Sequence, residues 1–374
     1  MAGGARFSRV TRRGAALFCG WGLMLGCGSR TGLDASTSIV AVDGGTTTPS
    51  CAADGLVVLY AGQDPGAAYG GGQTSVAVDA TSVYWTAINP DATTGGAVMK
   101  APLCGGTATT LATTTFVSSY VQVQALAVDA SNVYWASRDE AEGAPGGQIM
   151  KVPLGGGPST PIASEQFPEF HAEDATSAYW TDQSTGTVMK APLAGGAPVP
   201  LVLPGKSAGL GNVAVDATHV YWWANDYGIL KVPLGGGQLQ TVVPETSNDA
   251  TVGAFAVSGG NLYWASTLPV VQVSEESTTI SSVPVGGGTP STLATDHDFV
   301  ASIALDGANV YWLSAGCPGG SCTGLVKKVA VGGGAPVTVA SGWALSMFQR
   351  GSIAVDAASV YWTNGNTVMK MTPK

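Results

Sequence analysis

The chain has 374 residues, of which 11% are charged, and its formal net charge is −9. Removal of the basic leader described below, with its four arginines, leaves 12 basic and 25 acidic residues, a net charge of −13. Such a negative field repels phosphate backbones, so the composition argues against nucleic-acid binding. The 53 glycines and the short Val/Ile/Thr/Tyr/Trp runs between Gly, Pro and Asp predict an all-β fold.

Residues 1–26 have the pattern of an export signal. Four arginines precede the apolar run 15–25, which is too short to span a bilayer as a stable helix. The segment Leu23-Met24-Leu25-Gly26-Cys27 resembles a bacterial lipoprotein cleavage box, in which a small residue precedes the cysteine that becomes lipidated. This resemblance implies an envelope lipoprotein anchored through Cys27, and Gly28 favours sorting to the outer membrane. A plain secretory signal cut nearby is the alternative.

Residues 27–54 are predicted to form a flexible tether behind the lipidated cysteine. The segment is rich in Gly, Ser, Thr and Asp, and it contains few apolar residues. A random coil of this length reaches roughly 25 Å on average, which is enough to hold a domain clear of lipid headgroups. The folded domain is therefore predicted to begin at residue 55 and to extend to residue 374.

A Tyr-Trp pair recurs seven times in this domain, at intervals of 42 to 50 residues, which indicates a repeat architecture. The unit at 213–243 contains four short apolar runs separated by turn residues, and we name these predicted strands A to D. Four antiparallel strands repeated radially make the blades of a β-propeller. A β-solenoid, the alternative, would need shorter coils of more uniform length. The pairs are 84–85, 134–135, 179–180, 221–222, 263–264, 311–312 and 361–362.

The ends of the repeat region predict how the ring closes. The seventh unit reaches Lys374 with strands A to C only, whereas the apolar segment 56–61 precedes the first strand A. We predict that 56–61 supplies strand D of the seventh blade, so that no sheet edge is left open between the ends. The predicted fold is all-β: a seven-bladed β-propeller of four-stranded antiparallel blades, closed by an N-terminal strand that joins the last blade. We expect a monomer.

The blade pattern resembles a known type of repeat. Val-Tyr-Trp-Thr, followed by a turn and Gly-x-Val-Met-Lys, is similar to the YWTD repeats of low-density-lipoprotein-receptor-type propellers and to blades of bacterial secreted propellers. The one complete match is Tyr179-Trp180-Thr181-Asp182. The resemblance covers about residues 56–374 and supports the type of blade. That family is six-bladed, so the number seven comes from the count of units.

Residue types that recur in every blade are predicted to be scaffold. Adjacent strand positions point to opposite faces, so each Tyr-Trp pair is expected to pack against both neighbouring blades. An aspartate at the A–B turn can accept backbone N–H bonds, and the fifth blade has Ser258-Gly259-Gly260 there instead. A lysine on strand C is expected to pack its stem and make a cation–π contact with strand B. These lysines are Lys100, Lys151, Lys190, Lys231, Lys328 and Lys370.

Function is predicted to lie where the blades differ, in the B–C loops and D–A connections that share one face. These segments carry acidic and aromatic residues, so they could bind an envelope protein, a peptide or a glycan; ordinary loop packing is the alternative. The third blade also departs in strand A, where His171-Ala172-Glu173 replaces an apolar-Ala-apolar pattern. A buried polar site in the central channel or a local relaxation of the blade would explain this. The binding candidates are Phe167, Phe170, His171, Glu173, Trp223, Tyr227, Trp343 and Phe348.

No catalytic constellation is recognisable. The chain has three histidines without metal-ligand spacing, and it lacks nucleophile-elbow, phosphate-loop and zinc motifs, so neither metal nor cofactor is predicted. We therefore predict a binding or interaction scaffold of the cell envelope rather than an enzyme. A propeller enzyme of lyase or hydrolase type, with its site at the loops or in the channel, is the alternative, and a purely structural envelope component is a third interpretation.

The cysteines outside the leader and anchor form an even set, as expected for an exported protein. Cys317 and Cys322 lie in one loop, where a disulfide would contribute roughly 2 kcal/mol. Cys51 precedes the strand predicted to close the ring, and Cys104 lies at the C–D turn of the first blade. Ring closure would bring these two together, which predicts a disulfide between Cys51 and Cys104.

Overall fold

The computed structural model of the chain describes most of the repeat region. The predicted leader and tether lie outside the described residues. The described ranges are 55–62, 74–88, 96–113, 122–138, 147–165, 168–182, 185–202, 210–225, 227–245, 251–268, 277–316, 323–344, 351–365 and 367–374.

The described residues form β-strands joined by turns and contain no helix, so none could cross a membrane as a helix. The short runs rich in Val, Tyr, Trp and Thr favour the extended backbone, because branched and aromatic side chains pack well on a pleated surface. The first fourteen strands are β1 (Gly55–Ala61), β2 (Val76–Val78), β3 (Ser82–Ile88), β4 (Gly96–Pro102), β5 (Thr109–Thr113), β6 (Gln122–Val128), β7 (Asn132–Arg138), β8 (Gly147–Pro153), β9 (Thr160–Glu165), β10 (Pro168–Glu173), β11 (Ser177–Asp182), β12 (Thr187–Pro192), β13 (Val199–Pro200) and β14 (Leu210–Val215). The other fourteen are β15 (His219–Ala224), β16 (Gly228–Pro233), β17 (Gln240–Val243), β18 (Thr251–Ser258), β19 (Asn261–Leu268), β20 (Ser277–Pro284), β21 (Ser291–Asp296), β22 (Phe299–Leu305), β23 (Asn309–Gly316), β24 (Thr323–Ala330), β25 (Val337–Ala344), β26 (Ile353–Val355), β27 (Val360–Asn364) and β28 (Thr367–Thr372).

The strands assemble into seven antiparallel sheets of four strands each, which confirms the predicted seven-bladed propeller. Blades 1 to 6 are each built from four consecutive strands, beginning with β2 and ending with β25. The register repeats from blade to blade, because Tyr84 lies opposite Lys100 in blade 1 just as Tyr221 lies opposite Lys231 in blade 4.

The seventh blade is completed by the first strand of the chain, as predicted. Its strand order is β1-β28-β27-β26, and Val57 of β1 pairs with Lys370 of β28. The innermost strands of successive blades contact one another around the ring, and β26 contacts β2. The ring is therefore closed, and its closing sheet joins the two ends of the repeat region.

The hydrophobic core consists of seven clusters, one at each junction between neighbouring blades. Tyr84 of blade 1 and Trp135 of blade 2 lie in the same cluster, and Tyr361 of blade 7 packs with Trp85 of blade 1 at the ring closure. Each Tyr-Trp pair thus places its tyrosine against the following blade and its tryptophan against the preceding one. This arrangement confirms that the repeated pair is inter-blade core.

Candidate functional site

The propeller has two faces of different character. We define the turn face by the A–B and C–D turns, such as 79–82 and 102–106 in blade 1. We define the loop face by the opposite strand ends, such as 224–228 and 243–245 in blade 4. The turn face is nearly identical from blade to blade, whereas the loop face is where the blades differ in length and composition.

On the turn face, each repeated aspartate closes its own A–B turn and holds a tyrosine. In blade 1, Asp79 Oδ1 accepts the backbone N–H of Thr81 and of Ser82, both at 2.7 Å, and Oδ2 accepts the Tyr84 hydroxyl at 2.7 Å. The backbone bonds were predicted, but the tyrosine bond was not, although its constant spacing of five residues is visible in the sequence. The same Asp–Tyr bond joins 129 to 134, 174 to 179, 216 to 221, 306 to 311 and 356 to 361.

These contacts shift the ionisation of both partners in a way that favours the charged aspartate. Burial raises the pKa of Asp79, but the hydrogen bonds from Tyr84 and Thr81 lower this pKa by more than burial raises it. The net shift of the pKa is therefore downward. Burial and the hydrogen bond to Asp79 raise the pKa of Tyr84. The pair therefore consists of a charged carboxylate and a neutral phenol. Neither group exchanges a proton near neutral pH, so the role of the pair is structural.

The repeated lysines form bridges from each blade to the next. Lys100 Nζ donates to the carbonyl oxygen of Leu154 in blade 2 at 2.9 Å, and it lies 5.4 Å from the centroid of the Tyr84 ring. The predicted cation–π contact is thus confirmed in blade 1, and the inter-blade hydrogen bond is an addition to it. The same bridge joins Lys151 to Leu193, Lys190 to Leu234, Lys231 to Val285, Lys328 to Lys374 and Lys370 to Leu103.

Blade 5 is the exception on the turn face. Its A–B turn has Ser258 in place of the aspartate, and Ser282 lies opposite Tyr263 where other blades have the lysine. The junction between blades 5 and 6 therefore has no lysine-to-carbonyl bridge among the described residues. This is the one junction of the seven that the repeated lysines do not span.

An ion pair spans that junction from its other side. Lys327 Nζ of blade 6 lies 2.7 Å from Asp296 Oδ1 and 2.8 Å from Asp298 Oδ2. Asp296 Oδ2 also accepts the indole N–H of Trp312 at 2.8 Å. Lys327 takes the strand-C position that is Met99 in blade 1, and this substitution escaped the sequence analysis because the repeated lysine follows it directly.

The ion pair argues against a catalytic or metal-binding role for Lys327, Asp296 and Asp298. Burial lowers the pKa of Lys327, but the hydrogen bonds to both aspartates raise it more, so the ammonium stays charged. A permanently protonated lysine cannot act as a general base, and it already occupies the carboxylates that a cation would need. Among the described residues, no group of three or more His, Cys, Asp and Glu side chains could hold a metal ion.

Of the two polar residues that replace apolar ones in strand A of blade 3, Glu173 is the one whose side chain the structure describes. It lies at the end of β10, opposite Ala178, and is partly buried at the junction with blade 2. Burial, with the negative charge of Asp129, raises its pKa to about 8. The backbone of Phe170 and His171 lies in β10, but their side chains, like all of Phe167 and Phe348, are outside the described residues.

Two of the aromatic binding candidates lie in the core rather than on a loop. Trp223 is part of β15, packs with Tyr221 at the junction with blade 5, and donates to Asn225 Oδ1 at 3.2 Å. Trp343 lies in β25 with its ring centroid 4.9 Å from that of Trp362. Both strands run further than the repeat pattern indicated, because these large rings gain burial between blades.

Tyr227 is the binding candidate that the structure leaves exposed, at 44% of its full accessible surface. It lies on the tight B–C turn of blade 4, where its backbone N–H donates to the carbonyl of Ala224. The following Gly228 has φ of +86° and presses against the backbone of Val243 and Glu245, where a side chain would collide. Among the described Phe, Tyr and Trp side chains, Tyr227 is the only exposed one.

Of the cysteines predicted to form disulfides, Cys104 lies in the described region and is disulfide-bonded. It occupies the C–D turn of blade 1, on the turn face. Cys51, Cys317 and Cys322, like the lipidation candidate Cys27, lie outside the described residues, so the pairing of Cys104 with Cys51 stays a prediction.

Comparison with known proteins places the chain by fold. No protein-family model matches it, and no curated protein matches it. YCF48 bound to D1 peptide is similar over 81% of this chain and 93% of that one, at 10% identity and a TM-score of 0.54. The designed Ika8 protein is similar over 86% of this chain and 100% of that one, at 13% identity and a TM-score of 0.53.

Similar structures also include the YWTD-type propeller of nidogen, in its complex with laminin. The similarity covers 62% of this chain and 88% of the nidogen chain, at 18% identity and a TM-score of 0.45. At these identities, the similarity concerns the fold alone. By its own sheets the chain is a seven-bladed β-propeller, and the nidogen propeller is among its structural neighbours.

Proposed function

We propose that this protein is a lipid-anchored binding module of the cell envelope that takes a protein or peptide partner on its loop face, without catalysis. One observation carries the proposal. The repeated polar groups of the turn face are already bonded within and between blades, as Asp79 is to Tyr84 and Lys100 is to Leu154. The segments that differ most between blades, including the turn with exposed Tyr227, belong to the loop face.

Two further observations support a binding role. Among the described residues, no titratable cluster has the arrangement of a nucleophile with its base, and Lys327 is held in its charged form by two aspartates. YCF48, which is similar in fold, is bound to a peptide in its structure. A rigid ring with one variable face is suited to presenting loops to a partner.

The envelope location is proposed from the leader pattern around Cys27. Replacing Cys27 with Ala should prevent incorporation of a radiolabelled fatty acid and release the chain from the membrane fraction, because the thiol is the attachment point. Continued labelling of the Cys27→Ala protein would contradict the anchor. Unlabelled wild-type protein would contradict it as well.

The binding face can be tested with two bulky substitutions on blade 4, one on each face. The tagged full chain would be used to capture envelope proteins in detergent, followed by identification of the captured partner. Tyr227→Arg on the loop face should abolish capture of that partner, whereas Ala217→Arg on the exposed A–B turn should leave it unchanged. Loss of capture in Ala217→Arg alone would contradict the proposed face, and no partner enriched by wild-type protein would contradict the proposed function.

A further inference from the structure

The lysine side chains that are already bonded within the propeller indicate which charge a partner must carry. Every lysine side chain in the described part of the chain donates to an acceptor inside the propeller. Six bridge successive blades through a backbone carbonyl, Lys327 pairs with two aspartates, and Lys374 pairs with Asp306 at 2.8 Å. The six bridges are those of Lys100, Lys151, Lys190, Lys231, Lys328 and Lys370.

The carboxylates are distributed differently. The six turn-face aspartates are held by tyrosines and backbone N–H groups, but Glu245 on the loop face is exposed and makes no ion pair with another described residue. Asp298, also on the loop face, is partly exposed beside Lys327. The described loop face thus presents the carboxylate of Glu245 and no unoccupied ammonium group, in a chain whose net charge is −9.

Glu245 and Tyr227 lie next to each other on blade 4. Ile229 pairs with Val243 in the ladder between β16 and β17, and Tyr227 and Glu245 each lie two residues beyond this pair. The backbone of Gly228 touches that of Val243 and Glu245, so the two segments stay adjacent beyond the ladder. Tyr227, directly before Gly228, therefore lies close to Glu245 along the backbone on the loop face.

The turn that carries Tyr227 is held in place by contacts of Trp223. The indole N–H of Trp223 donates to Asn225 Oδ1 at 3.2 Å, and the Trp223 ring packs against Gly211, where a Cβ would lie 2.8 Å from the ring. The backbone of a turn held in this way loses little conformational freedom when a partner binds. An exposed aromatic ring beside a carboxylate suits a lysine or arginine side chain, which stacks on the ring while its charge meets the carboxylate.

We propose that the loop face of blade 4 recognises a basic segment of a protein partner, whose lysine or arginine side chain stacks on Tyr227 and pairs with Glu245. This inference rests on the proposed binding function and adds the partner's chemistry to it. Electrostatic complementarity of this kind governs which partner is accepted and how fast it associates. An acidic peptide would be repelled by the carboxylate, and an uncharged glycan would gain nothing from the chain's net negative charge.

Two synthetic peptides of equal length test the proposal on the full chain in detergent, one alternating lysine with serine and the other glutamate with serine. Fluorescence anisotropy should show binding of the basic peptide that weakens as salt is raised. Tyr227→Ala and Glu245→Gln should each weaken it about two- to five-fold. The matched control is Leu239→Ser, because Leu239 lies on the rim of the same blade and is also 44% exposed, and it should change nothing.

Stronger binding of the acidic peptide, or equal effects of Leu239→Ser and Tyr227→Ala, would overturn the inference. Failure of the basic peptide to bind would overturn it too. In that case, capture of an envelope partner that is lost in Tyr227→Arg would still support the proposed function. Absence of any such capture would remove both.

Discussion

Six junctions of the ring are bridged on the turn face by a lysine, whereas the junction between blades 5 and 6 is bridged nearer the loop face by an ion pair. At the junction between blades 4 and 5, Lys231 Nζ reaches the carbonyl of Val285 at 2.6 Å. At the next junction, Ser282 occupies the lysine position, and Lys327 reaches back to Asp296 instead. Each blade junction thus has a polar link that spans it, even where the repeated residues are lost.

The two kinds of link differ in energetic character. A repeated lysine bonds a neutral backbone carbonyl, so its loss leaves no unpaired charge behind, even for Lys231, which is 8% exposed. The carboxylate of Asp296, with its side chain 6% exposed, would be left as a buried charge without Lys327. The comparison teaches that the exceptional junction is the one more vulnerable to a single substitution.

The largest predicted effect comes from Lys327→Met, which restores the side chain found at this position in most other blades. Although the change is toward the repeat, it leaves Asp296 buried beside Trp312 without its ammonium partner. We expect a loss of about 3 kcal/mol in the free energy of unfolding, measured by urea denaturation. Lys231→Met, at an ordinary junction, should lose about 1 kcal/mol.

The double variant Asp296→Asn/Lys327→Met provides the control for this prediction. Because it removes both charges, its loss should be clearly smaller than the sum of the two single losses. Additive losses, or equal effects of Lys327→Met and Lys231→Met, would show that the two junctions are not held differently.

The second prediction contrasts Asp296, which has a cation, with Glu173, which faces the negative charge of Asp129. The pKa of Glu173 is raised from 4.5 to about 8, so the folded state binds a proton that the unfolded state releases between these values. Stability should therefore fall as pH rises from about 5 to about 8, at up to about 1.4 kcal/mol per pH unit from this residue.

Replacing Glu173 with Val, the residue at this position in most other blades, should remove that decline. The unfolding free energies of wild type and Glu173→Val would be compared at both ends of the pH range, and the stabilisation by Val should be larger at the higher pH. Glu173→Gln serves as a control that keeps the size of the side chain. Parallel pH profiles for all three proteins would refute the prediction.

The smallest predicted effect tests the Asp–Tyr bond by comparing neighbouring blades. Tyr221 donates to Asp216 at 2.7 Å, whereas the turn of blade 5 has no aspartate for Tyr263. Tyr221→Phe should lose about 1.5 kcal/mol, because a hydrogen bond to a partly buried carboxylate is removed. Tyr263→Phe should stay within about 0.5 kcal/mol of wild type, and equal losses in the two variants would contradict the role given to Asp216.

The repeat allowed the fold to be predicted in detail from the sequence, because a pattern seen seven times fixes the strand register. The Tyr-Trp pairs gave the blade number, and the apolar run 56–61 gave the closure by β1. Contacts between blades were harder to predict, since the target of Lys100 is a backbone carbonyl of Leu154, and every residue type has one. No side-chain pattern marks such an acceptor.

The candidate site was predictable only in part for a related reason. Trp223 and Trp343 look like loop aromatics because they fall outside the repeat pattern, yet each gains more by packing between blades than by facing water. Tyr227 and Glu245 are 18 residues apart, and only the pairing of β16 with β17 brings them together. Whether these two residues bind a partner depends on the partner's surface, which the sequence of this chain does not contain.

Hydrogen exchange of the full chain, with and without its captured partner, tests most directly the claim that the loop face binds and the turn face is scaffold. Peptides covering 223–228 and 243–245 on blade 4 report the loop face, and those covering 216–219 and 233–237 report the turn face of the same blade. We predict slower exchange in the first two segments and no change in the others. Protection of 216–219 and 233–237 alone would contradict the account.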